Sequence, residues 1–154
     1  MHILPFTRKE IEFFKELNKA KVPHIIVGLS AAAMQGAPLV TKDVDIWFKN
    51  LNDPKLQKVL KKCKITFIPT INMNPPIITG TGIELIDIVT HVHGVEDFDN
   101  VYKKCVKIKV ADVAFRVLSL RDIIRSKESL NRKKDSLVLP VLRDTLIVQK
   151  SKKR

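Results

Sequence analysis

The chain is short of several residue types: two cysteines, one tryptophan, one tyrosine and five glycines in 154 residues. Cys63 and Cys105 have no CxxC spacing and no histidine pattern around them, so the expectation is two reduced, partly buried thiols. No apolar run is long enough to span a bilayer. The opening MHILPFTRKE turns charged at once and lacks the apolar stretch of a signal peptide, so a cytoplasmic protein with no membrane partner is expected. There is no GxxxxGK[ST] loop, which argues against a P-loop NTPase. No Ser-His-Asp or Cys-His set can be argued, and no internal repeat or domain linker is visible.

Positive charge is abundant by contrast. The net charge is +12, with 28 basic against 16 acidic residues. Lys150, Lys152, Lys153 and Arg154 form a basic end, and the rest gathers at Lys55–Lys64, Lys103–Lys109 and Arg121–Lys134. Such a surface attracts polyanions, nucleotides and nucleic acid included, although a merely solvated basic surface reads the same way. The length fits one domain over residues 1–150 with a basic tail at 151–154.

Thr7 followed by Glu10 is a capping box, and Ile11, Phe14, Leu17 and Ala20 continue it at helical spacing until Pro23. His24 to Gly28 reads as a strand, Ser30 to Gln35 as a helix ended by Gly36, and Val44 to Phe48 as a strand. Asp53-Pro54 opens a helix, Ile65 to Ile68 is a strand, Pro69 to Gly82 a mobile loop, and Ile83 to Val89 a strand. A short helix at Asp97–Lys104 precedes a hairpin turning at Ala111-Asp112. Two C-terminal helices follow, one from Ser119 to about Leu130 and one over Arg132–Gln149 broken or kinked at Pro140. The order implies an α+β (α/β) fold, a mixed β-sheet with helices mainly on one face.

The most informative stretch is VGLSAAAMQGAPLVTKDVDIWF, Val27 to Phe48. Residues two apart in a strand share a face, so Asp43 and Asp45 lie together while Val44, Ile46 and Phe48 face the other way. Adjacent carboxylates repel, and a hard cation such as Mg²⁺ relieves that. Asp87 is an acid on an otherwise apolar strand face. If its strand lies beside that of Asp45, the three acids converge and could hold two metal ions for phosphoryl or nucleotidyl transfer. Otherwise Asp87 is solvated or paired with a lysine. Gly28 and Ser30, at a strand-to-helix turn, offer N–H groups and a hydroxyl to a triphosphate. A capped helix in a tight turn is the plainer account of those two.

Together these segments resemble the nucleotidyltransferase superfamily of DNA polymerase beta type, most like small stand-alone prokaryotic members, including toxins of toxin–antitoxin pairs. The matching residues are Gly28, Ser30, Gly36, Thr41, Asp43 and Asp45, then Asp87, and in VLSLRDIIRSKESLNRKKD Lys127, Arg132, Lys133 and Asp135. Leu29 stands where relatives often have a second glycine, and Leu39 where many have arginine. The resemblance implies that Asp43 and Asp45 bind Mg²⁺ or Mn²⁺ and that Asp87 activates an acceptor hydroxyl. Lys127 would reach toward phosphate or hold the last helix. It implies transfer of a nucleoside monophosphate from an NTP to an RNA, protein or small-molecule hydroxyl, with a homodimer or partner protein completing the site. The alternative is a degenerate binding module of the same fold: an antitoxin, a partner subunit or an RNA-binding protein. His91 and His93 are weaker candidates as metal ligands, and Trp47 as a base-stacking or packing side chain.

Overall fold

In the computed structural model, residues 6–41, 43–69, 76–83 and 86–152 are described. The first helix, α1 (Arg8–Lys19), starts at the expected capping box. The Glu10 amide donates to the Thr7 hydroxyl at 3.0 Å, and the Thr7 amide donates to Glu10 Oε1 at 2.9 Å. Phe13, Phe14 and Leu17 are buried beneath it. Next come β1 (His24–Val27), α2 (Gly28–Met34) and β2 (Val44–Phe48). Asp53 caps α3 (Pro54–Lys62), accepting from the Lys55 amide at 2.9 Å.

Three short strands follow: β3 (Thr66–Ile68), β4 (Ile77–Thr79) and β5 (Ile86–Val89). The segment read as a loop up to Gly82 therefore contains a strand, β4, while its residues 70–75 lie outside the described residues. Proline and glycine at its edges hid a run, Pro76-Ile-Ile-Thr, that pairs with β3 and β5. After α4 (Phe98–Lys104) come β6 (Val106–Val110) and β7 (Val113–Val117). They form the expected hairpin, with Ala111 and Asp112 both at positive φ, as a two-residue type I′ turn requires.

All seven strands make one sheet in the order β3-β4-β5-β2-β1-β7-β6. The pairings β1–β7 and β2–β5 are parallel and the others antiparallel. At its centre α1 covers one face and α4 the other. Phe14 of α1 meets His24, and His24 meets Phe48, on one side. Trp47, the neighbour of Phe48 and so on the opposite side, packs edge-on against Phe98 of α4. Phe48 and Trp47 are both buried at the end of β2, so each face needs a cover there, while Asp45 makes the Trp47 face polar further along the strand.

The chain closes with α5 (Leu120–Leu130) and α6 (Asp135–Lys152). Ser119 caps α5, and Asn131 ends it in the left-handed conformation. α6 continues through Pro140 rather than breaking there. Pro140 stands in its second turn, where the missing N–H removes one bond near the helix start. The two helices are joined by Asp135, which is 2% exposed. Asp135 accepts from Arg132 Nε at 2.7 Å and Nη2 at 3.1 Å, with Lys127 Nζ at 3.5 Å. The Arg132 hydrogen bond, and then Lys127, hold its carboxyl below the usual range. Among the described residues no helix is long and apolar enough to cross a membrane.

Candidate functional site

Strand register builds the site. Asp45 of β2 pairs directly with Asp87 of β5 on one side and with Val27 of β1 on the other. The parallel pairing assumed for convergence is therefore present, with the two acids side by side on the same face. Asp43 lies just before β2 and is exposed, its carbonyl accepting from the Thr41 hydroxyl at 3.1 Å. Asp45 is half-buried and Asp87 exposed. Burial, then Asp87, then Asp43 push the Asp45 carboxyl from its ordinary 3.8 up to about 6, against the pull of Lys127. Burial and then Asp43 also raise Asp87.

The turn after β1 is built against this acid. Gly28 has φ +72°, and a Cβ placed there would stand 2.7 Å from Asp45 Oδ2. Glycine is needed both for the conformation and for the approach. Ser30 is placed differently from the expectation. It is 2% exposed, and its hydroxyl donates to the Val27 carbonyl at 3.0 Å. That single O–H is spent on the turn and does not face the recess.

Two recesses meet at Asp45. One, of about 440 Å³, runs from Gly28 and Asp45 to Lys127 and Arg132 and is flanked by His91 and His93. The other, also about 440 Å³, lies between Asp45, Asp87, Ile77 and His91. A recess of about 480 Å³ between α2 and α6 is lined by one acid, Asp144, and shares none of these groups. Trp47 serves as packing, as its contact with Phe98 shows. His91 lines both recesses at Asp45, a placement that the sequence signalled only through its strand parity with Asp87.

The donor set suits a hard divalent cation: three carboxylates, with Asp87 and Asp43 adding to the raised proton affinity of the partly buried Asp45. As the side chains stand, no three acid, imidazole or thiol groups among the described residues form a ready-made cage.

Neither a family model nor a curated protein matches the sequence. Seven solved chains match in structure. One is the crystal structure of an antigenic nucleotidyltransferase-like protein from Paracoccidioides brasiliensis. The match has a TM-score of 0.59 at 13% identity, over 94% of this chain and 79% of that one. The chain thus has a nucleotidyltransferase-like fold.

Two outcomes follow for the site. Gly28→Ala should lose about 2–4 kcal/mol in urea unfolding, combining left-handed strain with the clash at Asp45. Gly36→Ala, at φ +98° with nothing near its Cβ, should lose only about 1–2 kcal/mol of strain. Equal losses would contradict the close approach. Asp45 ionises less readily folded than unfolded, so its charge destabilises the fold fully above about pH 6 and not at all well below 3.8. Metal-free Asp45→Asn should therefore melt about 2–4 °C above wild type at pH 7.5, allowing for solvent screening. The gain should shrink to a small fraction at pH 4, and a lower melting point at pH 7.5 would count against it.

Proposed function

We propose that this protein is a metal-dependent nucleotidyltransferase, moving the nucleoside monophosphate of an NTP to a hydroxyl acceptor with release of pyrophosphate. The observation that carries the reading is the in-register pair Asp45–Asp87 at the meeting of two recesses, one of them walled by cations. Asp43 and Asp45 would hold Mg²⁺ or Mn²⁺, with Asp87 as the third ligand or as the base that takes the proton from the acceptor hydroxyl. Bound divalent cations supply charge neutralisation at the attacking and leaving oxygens. Lys127 and Arg132 offer positive charge to the triphosphate, and Gly28 keeps the backbone clear beside Asp45. Positioning and electrostatics, rather than covalent chemistry by the protein, would carry most of the rate.

The acceptor would be an RNA, a protein or a small molecule, with a second copy or a partner protein completing its site. A cytoplasmic role in a prokaryotic toxin–antitoxin pair belongs to the same reading. A second reading, a binding module of this fold without turnover, is favoured by the inward-turned Ser30 together with Leu29 at the phosphate turn and Leu39.

Calorimetry separates the two. Each NTP is titrated into wild type and Asp45→Asn, with Mg²⁺ and with EDTA. Binding should require Mg²⁺ and fall at least tenfold in the mutant. Binding indifferent to metal but steeply weakened by salt would favour the second reading.

A further inference from the structure

At the other end of β1 lies a second charged recess. His24 opens the strand opposite Phe48, whereas Asp45 stands opposite Val27 at its far end. The recess holds about 480 Å³, within the range of small-molecule sites. Its polar lining is Asn18, Lys21, His24, Tyr102, Lys107 and Arg116, with no acid. Among the described residues none of its three cations forms an ion pair.

Lys107 and Arg116 are direct cross-strand partners in the β6–β7 hairpin. Like charges in that position destabilise a hairpin unless an anion sits between them. Arg116 lies 4.2 Å over the Tyr102 ring, and Phe98 stacks on that ring with centroids 5.4 Å apart, a spacing typical of such pairs. Both the guanidinium and the ring are thereby held in place, and Tyr102 is left no free face for a base. His24 forms the floor and is 5% exposed. Its Nδ1 donates to the Val22 carbonyl at 2.8 Å, and burial lowers its pKa to about 4, so the ring is neutral and Nε2 carries a lone pair. No protein group donates to that nitrogen among the described hydrogen bonds, yet His24 lines the recess.

We propose that this recess binds a small phosphate ester bearing free hydroxyls, its phosphate between Lys21, Lys107 and Arg116 and a hydroxyl donating to His24 Nε2. The cations select a multiply charged anion, and the buried acceptor selects a donor on the same ligand. The site is independent of the acid cluster.

The test is NMR of the full chain at low salt in EDTA, with ribose 5-phosphate, inorganic phosphate and methyl riboside as probes. Ribose 5-phosphate should shift the signals of His24, Lys107 and Arg116 and bind at least fivefold tighter than phosphate, with methyl riboside silent. Lys107→Gln should weaken it at least fivefold, whereas Lys58→Gln on α3 should not. Because Lys107 is exposed, the variant should fold, and its unchanged spectrum elsewhere checks that. No shifts at the recess, equal binding of inorganic phosphate, or equal losses in both variants would overturn the proposal. So would tighter binding there of an oligonucleotide lacking terminal phosphate, which would assign the recess to a nucleic-acid backbone.

Discussion

Everything at the acid cluster depends on the register between β2 and β5. The same pairing that sets Asp45 beside Asp87 sets Val44 beside Ile86 and Ile46 beside Ile88, and all four of these are buried. Each buried aliphatic side chain contributes roughly 1.5–3 kcal/mol. Repulsion between two carboxylates on neighbouring strands, about 5 Å apart, costs about 3 kcal/mol at an effective dielectric near 20. The apolar face therefore wins, and a slip by one residue would expose it. The fold holds two like charges together because its other face leaves no alternative, and burial first, then the charge of Asp87, raise the proton affinity of Asp45.

The surroundings extend that constraint. Gly28 brings the backbone within reach of the Asp45 carboxylate, so the turn and the acid form one unit. On the opposite wall Lys127 divides its charge between Asp45, whose proton affinity it lowers, and Asp135, its ion-pair partner. That pairing places α5 and α6 against the recess and keeps a cation facing the acids. The sheet is thus polarised along β1, with carboxylates at the Val27 end and cations around His24.

Much of this was legible in the sequence, for local reasons. Thr7-Glu10, Asp53-Pro54 and Ser119-Asp122 are caps whose partners lie within a few residues, whereas Asp43, grouped with Asp45 by strand parity, lies just before β2. Asp87 stood out as an acid on an apolar strand, but its meeting with Asp45 required a pairing between segments about forty residues apart, which no local pattern fixes. Strand β4 was missed because its three residues gain their pairing from β3 and β5. Ser30 was misplaced because a hydroxyl at a helix start can bond its own chain as readily as a ligand. Lys107 and Arg116 read only as surface charge until the hairpin set them face to face.

The proposed cation site of Asp43, Asp45 and Asp87 is tested most directly by paramagnetic Mn²⁺, without any nucleotide. Substoichiometric Mn²⁺ added to the ¹⁵N-labelled protein should broaden first the amides of Gly28, residues 43–46 and residues 86–88, and Asp45→Asn should abolish that pattern. Broadening that starts elsewhere, or that persists unchanged in Asp45→Asn, would contradict the account.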